Sequence, residues 1–344
     1  MDLTFSGKFG RREVIAKGYR NFGAHLFSDG WDSQDYTNGA VLHASGPLSP
    51  GNVLTLGFEF RHQGGEVRSG PLAGEWAKRE HAFFFHDEQI LMNRIILTCG
   101  ARYNDNQVAG GEFCPQVGLA SHLGDDTTFR GSVNKGFRAP QINELYIFPA
   151  HNEDLTSEVV WNYEVGLNRQ IAPGLKLDLV GYLMKGENLI QLAVDDSGPS
   201  ISKFQNSGEF EFRGMEANIH DQPVRNFQAR VSYTHLDPGV DTTGRPGEKV
   251  DLSWRWILGR VTLSSTGQYV ANYYAADGKE EPIPAYFVVD TKLSYQALSG
   301  LGIFWAIDNL FNEDYVTYAN LPGNAAGLYA MPQRRWATGL SLRL

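Results

Sequence analysis

The sequence predicts an all-β protein, an antiparallel transmembrane β-barrel of about sixteen strands, and three observations carry that expectation. Segment after segment of about ten residues alternates apolar and polar side chains at period two, the spacing of a strand with one dry and one wet face. The connections between these segments alternate between short and long, as turns at one rim of a barrel and loops at the other do. Composition excludes the other way across a bilayer: 42% of the 344 residues are hydrophobic and 12% aromatic, yet mean hydropathy is −0.32. The longest apolar runs, 285–289 and 303–307, are far shorter than the roughly 20 residues of a membrane helix.

Taken in order, the segments lie near 12–26, 35–47, 52–63, 79–90, 93–104, 113–122, 127–137, 158–170, 174–193, 204–220, 225–236, 249–258, 260–275, 285–296, 300–311 and 332–344. The first alternates poorly; the third sets Leu54, Leu56, Phe58 and Phe60 against Thr55, Gly57, Glu59 and Arg61. The eighth sets Val159, Trp161, Tyr163, Val165 and Leu167 against Val160, Asn162, Glu164, Gly166 and Asn168. Phe227, Ala229, Val231 and Tyr233 oppose Gln228, Arg230, Ser232 and Thr234 in the eleventh. Val250, Leu252, Trp254, Trp256 and Leu258 oppose Lys249, Asp251, Ser253, Arg255 and Ile257 in the twelfth. The last puts Trp336, Leu340, Leu342 and Leu344 on one face and Arg335, Gly339, Ser341 and Arg343 on the other.

Aromatic residues gather near strand ends on the apolar face, at Trp161, Tyr163, Tyr233, Trp254, Trp256, Tyr269, Tyr273, Tyr295 and Trp336. That placement suits the girdles of a membrane barrel better than the aliphatic interior of a soluble sandwich. Cys99 falls in the lipid-facing phase and Cys114 in the lumenal phase, so no disulfide is expected between them.

Short connections are expected at 48–51, 91–92, 124–126, 172–173, 259 and 297–299, and long ones at 64–78, 138–157, 237–248 and 312–331. The long loops are rich in Gly, Asn, Asp and Pro, and ligand contacts are expected there. With 30 basic against 39 acidic side chains and no basic cluster, nucleic acid is not an expected partner. No Gly-x-Ser-x-Gly, His-Glu-x-x-His, Cys-x-x-Cys or phosphate-binding glycine loop is present, so the reading is a non-enzyme with no cofactor and no metal site. The first eight residues do not read as a secretory signal.

Several segments resemble TonB-dependent outer-membrane receptors. Residues 130–146, RGSVNKGFRAPQINELY, are similar to the family's strand ending in Phe-Arg-Ala-Pro and its following Glu-Leu-Tyr. Asn152-Glu153-Asp154-Leu155 occupies the place of an Asn-Pro-Asn-Leu, and Trp161-Asn162-Tyr163-Glu164-Val165-Gly166 matches the next strand. Asn206 and Gly208, with Gly214 and Glu216, follow an Asn-x-Gly-x-x-x-x-x-Gly-x-Glu pattern. Asn309-Leu310-Phe311-Asn312-Glu313-Asp314-Tyr315 is similar to Asn-Leu-Phe-Asp-x-x-Tyr, and Met331-Pro332 precedes the final strand.

The resemblance implies an outer-membrane location and a receptor barrel of about 22 strands whose lumen holds a plug. Residues 1–344 align with the C-terminal part of such a barrel; no plug domain and no signal peptide is read in this chain, and about six strands are expected upstream. The implied function is active uptake of a scarce ligand, a ferric siderophore first, with cobalamin or haem behind it. The implied partners are outer-membrane lipid, the TonB-ExbB-ExbD complex acting through a plug and TonB box, the barrel-assembly machinery and a metal-chelate ligand. The alternative is a passive sixteen-strand porin, closed on itself and conducting without a partner.

Within this reading the loop candidates for ligand contact are Trp31, Arg138, Tyr146, Phe148, His151, Tyr318 and Tyr329. Arg138 has the charge to meet a carboxylate or siderophore, or to hold its loop to a neighbouring strand. His151 is the candidate haem contact, and the tyrosines and Phe148 offer faces for an aromatic ligand. His25, Asp29, Trp31, Asp32, Asp35 and Tyr36 are expected to cluster at an extracellular turn. Lumenal Arg102, Arg130, Glu164, Arg230 and Arg255, together with Arg61, Asp251 and Arg343, are expected to form charge networks facing a plug.

Overall fold

A computed structural model describes residues 1–70, 73–195, 201–319 and 327–342. It is almost entirely strand: β1 (Asp2–Phe9), β2 (Arg12–Leu26), β3 (Asp32–Gly46), β4 (Asn52–Val67), β5 (Gly74–Leu91), β6 (Ile95–Asn106), β7 (Gly110–His122), β8 (Thr127–Arg138), β9 (Glu158–Ala172) and β10 (Leu175–Glu187). There follow β11 (Ile190–Asp195), β12 (Ile201–Asn206), β13 (Glu209–Val224), β14 (Phe227–Asp237), β15 (Glu248–Leu258), β16 (Val261–Ala271), β17 (Tyr273–Tyr274) and β18 (Pro282–Ile283). The last are β19 (Tyr286–Leu298), β20 (Leu301–Asp308), β21 (Val316–Ala319), β22 (Gly327–Ala330) and β23 (Arg335–Leu342). Seventeen of these belong to one sheet, and three hairpins, β11–β12, β17–β18 and β21–β22, stand apart from it.

The chain divides into two compact units: Met1–Ser121, Gly131–Tyr163 and Met184–Phe210 make the first, His122–Arg130, Glu164–Leu183 and Glu211–Leu344 the second. In the first, β1 to β7 pair in chain order, each antiparallel to the next. Their alternation places Phe5, Ala16, Leu42, Phe58, Phe83, Tyr103 and Phe113 in one transverse row, each the register partner of its neighbour. Leu42 keeps 51% and Phe83 60% of its surface exposed, so this outer face has no protein cover and suits acyl chains. The inner face carries Glu59, Arg61, Lys78, Glu80, Arg102 and Asn104, linked by ion pairs and hydrogen bonds. Inward rings pack over glycines of the adjacent strand, Tyr19 on Gly39 and Phe84 on Gly57, where a Cβ would overlap the ring.

In the second unit β14, β15, β16, β19, β20 and β23 pair successively, with β13 beside β14. Two aromatic rows mark the outer face: Tyr233, Val250, Tyr269 and Phe287 near one rim, and Phe227, Trp256, Leu263, Leu293 and Trp305 near the other. They are six residues apart along β14, about 20 Å at strand rise. Among the described residues no helix is long and apolar enough to cross a membrane.

The structure alters several sequence expectations. It adds β1, whose Leu3, Phe5 and Phe9 alternate over only eight residues. The segment 174–193 is two strands, parted at Asn188 with a left-handed φ of 59°. Segment 204–220 is likewise parted at Gly208 (φ 81°), and 260–275 at Asn272 (φ 52°). That break turns Tyr273 away from the lipid girdle into a loop core, where it is 9% exposed. The loop expected over 64–78 is shorter, because β4 runs to Val67 and β5 starts at Gly74. The cluster around His25 is split by the pleat: Asp35 bonds His25 on the inner face, while Tyr36 meets His62 on the outer. Cys99 and Cys114 are free, on opposite faces as expected. Arg343 and Leu344 lie outside the described residues.

Candidate functional site

Four of the seven loop candidates come together after β8. Arg138 ends that strand, and its guanidinium donates to both carboxylate oxygens of Glu158 on β9 (2.5 and 2.8 Å) and of Glu144 (2.9 and 3.0 Å). Glu144 sits in a single π-helical turn, Asn143–Ile147, and also accepts the backbone N–H of Gln141 at 2.7 Å. Glu158 Oε1 accepts the N–H of Ile190 at 2.7 Å, tying the base of the β11–β12 hairpin to the same charge cluster. Lys78, a residue only 5% exposed, donates from Nζ to the Pro140 carbonyl at 2.5 Å. Beneath the turn, Leu145 (0% exposed), Leu155 and Ile190 form a small core.

On this base two aromatic pairs are fixed. Tyr146 stacks on Trp76 with centroids 6.4 Å apart, and Phe148 tilts against Phe204 at 5.9 Å. Phe148 is 42% exposed. Burial, with Glu153 nearby, raises the Tyr146 phenol above its usual range, so it remains a neutral hydroxyl. His151 contacts the Phe148 carbonyl through Nδ1 at 2.9 Å, which orients its Nε2 edge outward from that bond. Asn152 and Asn206 complete the frame: Asn152 Nδ2 donates to the Phe204 carbonyl, and Asn206 Nδ2 to the carbonyls of Thr156 and Asn188. Trp31 stands at a separate turn between β2 and β3, its Nε1–H donating to Ser33 Oγ at 2.9 Å.

In the second unit a different loop core holds Tyr318. Val270, Tyr273, Ile283 and Tyr286 are buried together, with Tyr315, Val316 and Tyr318 packed against them. Asn309 shapes this arrangement: 3% exposed and at φ 52°, it donates from Nδ2 to the carbonyls of Glu313 (2.8 Å) and Pro332 (3.3 Å) and accepts the Glu313 N–H at 2.8 Å. Its own N–H donates to Asp290 at 2.8 Å. The chain thereby turns out of β20 and folds Tyr315 back onto Tyr286, centroids 4.7 Å apart. Burial, with Asp290 nearby, raises the Tyr315 phenol. Tyr329, on β22 opposite Thr317, is 44% exposed.

The inner-wall candidates divide by pairing. Arg102 pairs at 2.9 Å with Glu59, a carboxylate it shares with Arg61, and Arg130 makes a two-pronged contact with Asp178 (2.9 and 3.0 Å) with Glu164 at 3.6 Å. Arg230 and Arg255 make no ion pair among the described residues. Arg230 lines a cavity of about 340 Å³ with Asp251, Gln268, Asp290, Tyr286 and Tyr315. Asn104, 2% exposed beside Arg102, has an Nδ2 donor with no partner among the described residues. The sequence reading omitted Glu144, Glu158, Trp76, Phe204, Asp178 and Asn309 as site residues: Glu144 and Asn309 were read only as parts of motifs, and Glu158, Trp76, Phe204 and Asp178 pair over distances along the chain that carry no periodic signal.

An amphipathic antiparallel sheet with aromatic rows on its uncovered face, a charged inner face and ordered loops at one rim is the architecture of an outer-membrane receptor barrel. The family model described as TonB dependent receptor-like, beta-barrel matches residues 2–310, and the chain belongs to that family. The family is one of outer-membrane transport receptors, not enzymes, and the match assigns these strands to a receptor barrel.

Among curated relatives, the iron-regulated outer membrane virulence protein of Vibrio cholerae is 24% identical over 331 residues, covering 85% of this chain and 49% of that protein. The vitamin B12 transporter BtuB of Photobacterium profundum is 28% identical over 224 residues, 62% of this chain and 36% of that one. Among solved structures, the siderophore receptor PirA from Pseudomonas aeruginosa superposes with a TM-score of 0.80 at 16% identity, covering 99% of this chain and 62% of that one. The ferric enterobactin receptor PfeA from the same organism, in complex with enterobactin, superposes with a TM-score of 0.79 at 17% identity, covering 99% and 61%. The chain thus spans at most about half the length of these curated relatives.

Proposed function

We propose that residues 1–344 form the C-terminal wall and extracellular loops of a receptor that takes up a ferric siderophore by TonB-dependent active transport. The observation that carries this reading is the pre-organised ring platform after β8, where Tyr146 and Phe148 are held by partners on three other elements. Fixed aromatic faces beside charged groups lower the ordering cost of binding a rigid, ring-bearing chelate. Siderophore receptors share the fold, which is compatible with the same ligand class, while vitamin B12 transporters among the curated relatives keep cobalamin as the second reading. Arg138, Trp31, His151, Tyr318 and Tyr329 belong to the proposed ligand-facing set, with Arg138 acting by holding the platform.

In the whole receptor, a plug would meet the inner wall at Arg102, Arg130, Glu164, Arg230 and Arg255, and the TonB-ExbB-ExbD complex would act through it. Of these five, Arg230 and Arg255 make no ion pair among the described residues and would be free to meet acidic plug residues, and Asn104 Nδ2 is a donor without a partner among the described residues. Insertion would require the barrel-assembly machinery.

The test is ligand quenching of tryptophan fluorescence on the detergent-folded chain, with ferric enterobactin, cyanocobalamin and haemin compared. Ferric enterobactin is expected to bind most tightly, and Tyr146→Ala and Phe148→Ala each to weaken it about tenfold. Saturable binding of cyanocobalamin without ferric enterobactin would replace the siderophore reading with cobalamin. Binding of haemin alone, lost in His151→Ala, would replace it with haem.

A further inference from the structure

On the outer face of the first unit one transverse row is polar. Arg20, Asn38, His62 and Arg79 are successive register partners across β2, β3, β4 and β5. Two rows toward the short-turn rim lie Ala16, Leu42, Phe58 and Phe83, with Gly18, Ala40, Phe60 and His81 between. One row toward the loops lie Phe22, 61% exposed, and Tyr36, whose ring meets His62 edge-on at 5.4 Å. The polar row therefore sits where an apolar field ends and an aromatic fringe begins, the depth of lipid headgroups.

Neither guanidinium has a side-chain partner among the described residues, and both side chains are exposed. Of the outer-face carboxylates nearby, Glu66 pairs with Arg68 at 3.1 Å and Asp105 contacts His81 at 3.2 Å, and neither touches Arg20 or Arg79. Glu75 lies two outer-face positions beyond Arg79, about 13 Å along the strand. The row thus holds two arginines without a side-chain partner among the described residues, in a chain of net charge −9.

We infer that this row binds the phosphates of an anionic outer-leaflet lipid whose acyl chains lie against Leu42, Phe58 and Phe83. Arginine is suited to phosphate because its planar donors meet two oxygens at once. Arg20 and Arg79 are three strand spacings apart, about 14 Å, so they reach two phosphates instead of chelating one. That separation fits a glycolipid phosphorylated at both ends of its headgroup. Asn38 and His62, between them, face the sugar hydroxyls. The inference is independent of which ligand the receptor imports.

The experiment titrates diphosphoryl lipid A, monophosphoryl lipid A and phosphatidylcholine into micelles holding the full 344-residue chain, and reads bound lipid by native mass spectrometry. Diphosphoryl lipid A is expected to bind tightest, and R20Q/R79Q to weaken it about thirtyfold, about fivefold for each surface cation. R11Q, in the turn between β1 and β2 at the opposite rim, is expected to leave binding unchanged. R20K/R79K keeps the charge and should retain most of the affinity, which reads the row even if the glutamine pair folds poorly. Equal affinity of the wild type for diphosphoryl lipid A and phosphatidylcholine, or unchanged binding in a folded R20Q/R79Q, overturns the inference. Competition by inorganic phosphate at the lipid's own concentration would mean a free-anion site and would also overturn it.

Discussion

Replacing Arg138 with alanine isolates the contribution of one side chain to the order of the loop after β8. Its guanidinium spans Glu144 and Glu158 with four contacts of 2.5–3.0 Å. The carboxylate side chains are only 13% and 15% exposed, whereas Arg138 is 37% exposed. Removing the partner of a fully buried charge costs about 3–5 kcal/mol, while an exposed pair is worth about 1 kcal/mol or less. Two largely buried carboxylates facing a partly solvated cation fall between, at about 2 kcal/mol, or roughly a thirtyfold rise in the opened population of the loop.

Limited proteolysis in detergent, with cleavage mapped to 139–157, reads that population when reclosing outpaces cutting. Heat-modifiable migration on gels should be unchanged, because the strands keep their ladders. Arg138→Ala with Glu144→Gln and Glu158→Gln should recover part of the loss, since no uncompensated charge remains. A cleavage rate within twofold of wild type in Arg138→Ala would refute the reasoning and leave Arg138 free for ligand contact alone.

Asn309→Ala should open the loop after β20 by about 2–4 kcal/mol, losing three side-chain hydrogen bonds and the tolerance of a left-handed φ; Asn309→Gly should cost about 1 kcal/mol less, with proteolysis near 316–330 as the measure. Gly57→Ala should displace the Phe84 ring and destabilise the sheet by about 1–3 kcal/mol, seen as a lower temperature of heat modification, and Phe84→Ala in the same chain should restore part of it. In liposomes a charged maleimide should label Cys114 on the inner face and spare Cys99; equal labelling of the two would contradict the assigned faces.

Which side chains meet lipid was legible because alternation is local: in β15 each of Val250, Leu252, Trp254 and Trp256 lies on the outer face that period two assigns. The strand ends were less so. Asn188 and Asn272 break strands by adopting positive φ, a conformation asparagine permits without demanding, so their letters alone do not mark a break. β1 was missed because eight residues give only four on each face. At the loops, the motif around Arg138 was visible, but its pairing with Glu158, 20 residues on, and the stacking of Tyr146 on Trp76 arise from the meeting of separate strands. Likewise Arg230 and Arg130 read alike as lumenal arginines, and only the register that brings Asp178 to Arg130 separates a spent charge from a free one.

The rings that lie over glycines also bear on how such a sheet is put together. Tyr19 covers Gly39, Phe84 covers Gly57, Phe210 covers Gly186, Tyr182 covers Gly214 and Phe304 covers Gly339. Each is a knob that fits one notch on the neighbouring strand and collides with a side chain at the adjacent positions. A strand added one step out of line would also turn its lipid face inward; a strand two steps out would keep its faces but drive the ring into a side chain. The glycine notches therefore discriminate against the error that alternation alone tolerates.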